Sequence, residues 1–325
     1  MSRNRKHIIN KTVLEICFRA EQGLVLPATP LMQAIFIGLL ARAQTLYPVT
    51  ICHFVVMANH VHLLIVVQDP ADVPRFMEYL KRESAHAINR ILGRDRHTVW
   101  TAEYDSPIVL DAEKVIDRIV YFYTNPQQAR LVQKIEHYPH LSSWRAFVKG
   151  GARLKVPYFP RTAIPRGLTP VQAKSRRIVD EMLKNSPSKH SLVLSPDGWM
   201  ECFDASAGAD PDRVRREIIE RIRHKETQLT TEHGPSVVGA KALAEEGVKL
   251  DYIPKKRSKK MLCLGSTKRI RATFIAWYKE TAALAAAAVA GWLRGLPTVI
   301  PPGYFCPGGG IHSNLNPLFS PLPLA

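Results

Sequence analysis

The chain has 325 residues, which is enough for about two domains. It carries 45 Lys and Arg against 28 Asp and Glu, a net charge of +17. Such an excess is typical of a protein with a polyanionic partner, although a merely basic surface would look the same. The five cysteines show no CxxC spacing, which favours a reducing compartment and argues against disulfides. No signal-peptide pattern and no apolar run of about 20 residues is present, so we expect a cytoplasmic protein without membrane contact.

The first 150 residues predict an alternation of strands and helices. A strand is predicted by the period-two pattern of 12–20, and two further strands by the β-rich runs 50–57 and 60–67. Other elements follow from apolar periodicity and capping residues: helix 29–46, helix 72–93, a short strand at 106–110 and helix 111–126. This order predicts an α+β domain over 1–150, with an antiparallel sheet and helices on one face.

The character of the sequence changes after residue 150. Residues 151–168 are rich in Pro and Gly and predict a linker. The remainder, 169–325, predicts a mostly helical C-terminal extension with a Pro/Gly-rich tail. Its features are three helix candidates and one basic run: 169–185, 212–229, 267–294 and "PKKRSKK" (254–260).

Two histidines interrupt an apolar strand in the segment "VVMANHVHLLIVV". Alternate residues of a strand point to the same side, so His60 and His62 project side by side from one face. Two imidazoles at this spacing can share one metal ion. Two structural histidines with satisfied hydrogen bonds are the alternative.

The helix predicted over 111–126 offers a candidate nucleophile. Its apolar stripe contains Ile119 and Tyr123 and leaves Tyr121 about half a turn away. Asn125 lies four residues past Tyr121 and shares its side of the helix. A phenol one turn from an amide suits nucleophilic attack with an auxiliary ligand; an aromatic side chain that fills a second packing surface is the alternative.

Four segments in register resemble one known family. "MANHVHLLI", "YLKRESAHAINRILGRDRHTVW", "YFYTNPQQARLV" and "YPHLSSW" are similar to the transposase domain of the REP-associated tyrosine transposases, within the single-tyrosine HUH superfamily. The resemblance covers roughly residues 8–147. Ala58 replaces the usual Pro, and "NPQQARLV" replaces the more frequent "NPVRAGLV"; neither departure removes a chemical group.

The resemblance implies a ferredoxin-like HUH fold and a site. It assigns metal binding to His60, His62 and Asn125, and nucleophilic attack to Tyr121. The implied activity is metal-dependent nicking and strand transfer of single-stranded or hairpin DNA through a 5′-phosphotyrosine intermediate. The implied metal is magnesium or manganese, whereas imidazole ligands by themselves favour zinc or another transition metal. Whether Tyr121 serves its own chain or a homodimer partner stays open.

Basic residues near these motifs are candidates for DNA contact, with a solvated helix surface as the alternative. They lie on the second helix, its exit loop and the N-terminal arm: Lys81, Arg82, Arg90, Arg94, Arg96, Arg3, Arg5 and Lys6. Two other functions are consistent with the sequence. One is a non-catalytic DNA-binding or regulatory protein derived from a transposase, and the other is a metal-dependent hydrolase that uses the histidine pair without a tyrosyl intermediate.

Overall fold

The structure is a computed structural model that describes residues 8–185, 188–253, 261–301 and 304. Within these residues it contains one seven-stranded sheet and nine α-helices. The strands are β1 Val13–Arg19, β2 Thr50–Val56, β3 His60–Val66, β4 Ile108–Val109, β5 Ala152–Tyr158, β6 Ser188–Leu194 and β7 Cys263–Leu264. The helices are α1 Pro30–Leu46, α2 Asp72–Ile91, α3 Ala112–Gln128, α4 Trp144–Val148, α5 Pro170–Lys174, α6 Arg176–Lys184, α7 Pro211–His233, α8 Ala240–Glu245 and α9 Lys268–Leu293. Short 3₁₀ helices lie at Ile135–His137, Arg161–Ala163 and Met200–Cys202.

The strand order of the sheet is β5-β6-β2-β3-β1-β4-β7. Its four central strands pair antiparallel, which confirms the predicted sheet. The two flanking pairs, β6 with β2 and β7 with β4, are parallel. Pairing of β1 with β3 places Cys17 opposite His62 and Arg19 opposite His60. The register therefore puts residues from two distant segments around the histidine pair.

Local sequence signals explain the starts of two helices. Thr29 accepts a hydrogen bond from the Met32 amide at the start of α1, where Pro30 occupies the first turn. Asp111 does the same for the Lys114 amide at the start of α3. These caps confirm the predicted helix starts, whereas α3 runs past the predicted end at residue 126 to Gln128.

Helices cover both faces of the sheet rather than the single face expected. On one side, here called the α2 face, α1 and α2 pack against Leu14, Ile16 and Phe18. On the other, the α3 face, α3 and α7 pack against Val13 and Leu64. The reason is that β1 and β3 are buried along nearly their whole length, so both of their faces need an apolar cover.

The C-terminal half contributes strands as well as helices. Residues 152–158, within the expected linker, form β5, and 188–194 form β6 in a region expected to be helical. Pro157 is tolerated in β5 because this strand is at the edge of the sheet, where a missing backbone N–H costs little. Helices α7 and α9 confirm two predicted helices, and the third is divided into α5 and α6.

No helix among the described residues is long and apolar enough to cross a bilayer. The basic run 254–260 lies outside the described residues.

Candidate active site

Polar side chains gather on the α3 face at one end of β1 and β3. Alternation along β1 places Glu15, Cys17 and Arg19 on the same side, and the register sets the last two opposite His62 and His60. Helix α3 crosses this side and brings its own polar residues to the pair. The site is thus assembled from two strands and one helix of a single chain.

His60 and His62 lie next to each other as the strand spacing predicts. Their ring centroids are 5.0 Å apart. Half-buried His60 has its Nδ1 2.7 Å from Oδ1 of Asn59. His62 is 3% exposed, and its Nδ1 lies 3.5 Å from Oε1 of Glu15. Both ring nitrogens of His62 are buried, and neither makes a hydrogen bond among the described residues.

Tyr121 lies against this pair. Its ring centroid is 5.5 Å from that of His62, with the rings almost perpendicular. The Arg118 guanidinium lies 4.1 Å from the centroid of the Tyr121 ring and donates two hydrogen bonds, of 2.5 and 2.6 Å, to the Glu15 carboxylate. A buried carboxylate therefore links the imidazole of His62 to the cation over Tyr121.

The protonation of these groups follows from burial and from their neighbours. Burial opposes ionisation of Glu15, but His62 and Arg118 hold the pKa of its carboxyl below the usual value. Burial alone would lower the pKa of His62, whereas Cys17 and Glu15 raise it to about 9. Burial and the charge of His62 lower the pKa of His60 well below its ordinary value. His60 is therefore neutral at neutral pH, the form in which an imidazole binds a metal, whereas His62 is protonated and would have to lose a proton to bind one.

Burial raises the pKa of Tyr121, and the Arg118 cation acts in the opposite direction. A guanidinium over the ring favours the phenolate over the phenol. The net effect is a raised pKa for Tyr121, and the Arg118 cation offsets part of the cost of ionising it.

The residues present fit a divalent ion with few protein ligands. The described residues contain no group of three or more His, Cys, Asp or Glu that could hold a metal, and the candidate donors are the two imidazoles and the Asn125 amide. Asn125 is buried one turn after Tyr121, and its carbonyl oxygen is the atom that would bind an ion. Glu15 lies 3.5 Å from Nδ1 of His62, on the side where a carboxylate orients a metal-binding histidine once a hydrogen bond forms.

Tyr123, two residues from Tyr121, is part of the core. It is fully buried, and its hydroxyl lies 2.8 Å from Nδ1 of His53 and 2.9 Å from Oγ of Ser143. This confirms the apolar stripe predicted for the helix, and it leaves Tyr121 as the tyrosine beside the histidines.

The basic residues of α2 are largely engaged in structural contacts. Lys81 donates to two backbone carbonyls of the loop after α2, Arg82 pairs with Glu78 and Glu83, and Arg90 donates to the carbonyl of Ile164. Helix α2 packs on the sheet face opposite His62 and Tyr121. These three residues do not line the site.

The other predicted DNA contacts differ in position. Arg94 and Arg96 lie in the loop after α2, which returns to the sheet where Trp100 bridges Ala20, the residue after Arg19. That loop therefore leads back to the strand end that carries the histidine pair. Arg3, Arg5 and Lys6 lie outside the described residues.

Sequence reasoning missed Glu15, Cys17, Arg19 and Arg118. The signal in β1 was present as polar residues at alternate positions of an otherwise apolar strand. What was lacking was the pairing of β1 with β3, which joins segments more than 40 residues apart.

One protein-family model matches part of the chain. Residues 29–120 match the family described as "Transposase IS200 like". This confirms, for the residues matched, the resemblance to tyrosine transposases and supports a transposase-like role. The match includes both histidines and ends one residue before Tyr121.

One solved structure that is similar to the chain is described as "Structure of the REP associates tyrosine transposase bound to a REP hairpin". Its TM-score is 0.40 at 16% sequence identity, and the similarity covers 54% of this chain and 98% of that chain. No curated protein matches the chain.

Proposed function

We propose that this protein nicks single-stranded DNA and transfers the cut strand through a 5′-phosphotyrosine intermediate on Tyr121. The observation that carries the proposal is the placement of the Tyr121 ring 5.5 Å from that of His62, within one chain. The family match over the histidine motif and the charge of +17 also support it. Hairpin-forming repeat DNA is the substrate that the sequence resemblance implies.

The chemistry is a phosphoryl exchange without net hydrolysis. The Tyr121 oxygen attacks phosphorus, a phosphorus–oxygen bond forms to the tyrosine, and the bond to the 3′ oxygen breaks. The phenol proton is lost as the bond forms, and the departing 3′ oxygen takes up a proton to become a hydroxyl. Because the phosphodiester energy is retained in the tyrosyl ester, a second 3′-hydroxyl can reverse the step and join strands without a nucleotide cofactor.

The residues around Tyr121 have distinct roles in this proposal. Arg118 stabilises negative charge on the phenolate, and Glu15 fixes both Arg118 and the His62 ring. His60, His62 and Asn125 would hold a divalent ion, with magnesium or manganese implied by the resemblance. When bound, such an ion neutralises the phosphate oxygens and polarises the bond to the leaving group.

Replacement of each tyrosine in turn tests the proposal. Tyr121→Phe removes only the hydroxyl, so we expect it to retain its thermal stability and DNA binding but to lose cleavage of a labelled hairpin strand. Tyr123→Phe is the matched control: it loses a buried hydroxyl bonded to His53 and Ser143, which costs about 1 kcal/mol of stability, and it keeps cleavage.

Cleavage by Tyr121→Phe at the rate of the unmodified chain would overturn the assignment. If both Tyr121→Phe and Tyr123→Phe still cleave and the product carries a free 5′-phosphate, the protein is a metal-dependent hydrolase. Binding without cleavage by the unmodified chain in the presence of Mg²⁺ or Mn²⁺ would indicate a non-catalytic DNA-binding protein.

A further inference from the structure

Tyr121 also lines a cleft on the side of α3 that faces α7. The cleft has a volume of about 720 Å³. Its charged lining consists of Lys114, Arg118, Arg221 and Lys225 against Asp117 and Glu220, and His224 contributes an imidazole. Three of the four cations have carboxylate partners in or beside the cleft, and Tyr121 forms part of the cleft wall.

We propose that this cleft binds the sugar–phosphate backbone of the single strand next to the phosphate that Tyr121 attacks. The inference rests on the proposed function and extends it to α7, which lies outside the residues that match the transposase family. Tyr121 connects the two sites, because its ring contacts His62 and also forms part of the cleft wall. A strand lying in the cleft would reach the attacking oxygen without leaving the protein surface.

Helix α7 is held firmly against α3, so the cleft has a fixed wall. Ile218 and Ile222 of α7 are buried in the core of the α3 face. The Gln127 amide of α3 donates to the Glu226 carbonyl at 2.8 Å and to Oγ1 of Thr230 at 3.0 Å. The carboxylate of Glu226 accepts from the Ile135 amide. The basic residues of α7 are therefore held in fixed positions before a ligand binds.

The cations of the cleft differ in their availability. Lys114 pairs with Asp117, Arg118 with Glu15, and Arg221 with Glu113 and Glu217. Lys225 has no carboxylate partner among the described residues, and its ammonium donates to the side chain of Gln228 at 3.0 Å. An ammonium held only by an amide exchanges that contact for a phosphate oxygen at little cost. Lys225 is therefore the side chain on which the inference is tested.

The chain supplies a matched control on the same helix. Arg216 is exposed, precedes Lys225 by nine residues, or two and a half helical turns, and does not line the cleft. Lys225→Glu and Arg216→Glu change the net charge equally. A difference between them reports the position of the charge and not the overall field of the protein.

The measurement is the affinity of the full-length variants for a fluorescent, unstructured oligothymidine, in chelator so that no cleavage occurs. We expect Lys225→Glu to weaken binding roughly tenfold, the effect of losing one charge-assisted contact, and Arg216→Glu to weaken it less than about twofold. Lys225→Gln should flatten the dependence of log K on log salt by about 0.7, the contribution of one phosphate on a single strand, whereas Arg216→Gln should leave the slope unchanged. Thermal unfolding of each variant verifies the fold. If a Glu variant is unfolded, the comparison of Lys225→Gln with Arg216→Gln decides the outcome.

Equal effects at the two positions, or no binding of the oligonucleotide by the unmodified chain, would overturn the inference. Cleavage of hairpin DNA with Mg²⁺ or Mn²⁺ is measured on the same samples. If the unmodified chain cleaves DNA but Lys225→Glu and Arg216→Glu weaken binding equally, the proposed function stands and the assignment of DNA binding to the cleft is wrong. If Lys225→Glu alone weakens oligonucleotide binding but the unmodified chain does not cleave DNA, the cleft binds a single strand and the proposed nicking activity is wrong.

Discussion

The two faces of the sheet are made from alternate residues of the same strands, yet they differ in chemistry. On β1, the α2 face receives Leu14, Ile16 and Phe18, whereas the α3 face receives Glu15, Cys17 and Arg19. A buried charge is costly unless it is paired, and Glu15 is paired on both sides, with Arg118 and with His62. The β1 residues on the α2 face are explained by packing alone, whereas the polar groups of β1 on the α3 face indicate a functional site.

The largest effect on activity is expected from the histidine pair. His60→Ala and His62→Ala should each abolish metal-dependent cleavage, because one imidazole cannot hold the ion in place. The double variant should be little worse than either single one, since residues that act as a unit are not additive. Cleavage of a labelled hairpin strand over a series of metal concentrations measures this. Full activity in either single variant, or activity that persists in excess chelator, would exclude the metal site.

A matched pair of core phenylalanines tests the contrast between the faces. Phe76 and Phe122 are both fully buried, the first on the α2 face and the second against the ring of His62. Each change to Ala should cost about 3–5 kcal/mol of stability, measured by denaturant unfolding. Below the melting temperature, Phe76→Ala should retain its cleavage rate and Phe122→Ala should lose part of it. An equal loss of rate in the two variants would show that activity reports stability alone.

A smaller effect is expected from the buried carboxylates. Glu15→Gln should weaken binding of Mn²⁺ about 10- to 100-fold, the range typical of residues that orient a metal-binding histidine. Glu83→Gln is the control, because Glu83 is also buried and accepts two hydrogen bonds from Arg161, but on α2. Calorimetric titration with Mn²⁺ measures the affinity, and thermal unfolding measures stability. Weakened metal binding in both variants would contradict the role given to Glu15.

Much of the first domain could be predicted because its signals are local. Periodicity and capping residues placed the central strands and helices α1 to α3 within a few residues of their observed bounds. The C-terminal strands could not be predicted in this way. Pro157 and the preceding glycines resemble a linker unless the edge position of β5 is known, and β7 contains two residues.

The candidate site likewise combines residues that local motifs identify with residues that only long-range contacts bring together. His60, His62, Tyr121 and Asn125 lie within two short motifs, so spacing and resemblance identified them. Glu15 and Arg118 reach the site through the pairing of β1 with β3 and the packing of α3, which are contacts between distant segments. The side of the sheet on which α2 lies depends on the same long-range packing, which places Lys81, Arg82 and Arg90 on the helix opposite the face of His62 and Tyr121.

The most direct test of the central claim is to trap the covalent intermediate and determine which end of the DNA it holds. Hairpin strands labelled at either the 5′ or the 3′ end are incubated with the full chain and Mn²⁺, denatured and separated by electrophoresis, and the labelled peptide is sequenced. Attack by Tyr121 with loss of a 3′-hydroxyl predicts that only the 3′ label remains on the protein, attached at Tyr121 and absent from Tyr121→Phe. A 5′ label on the protein, attachment at another residue, or nicking with no adduct would contradict the account.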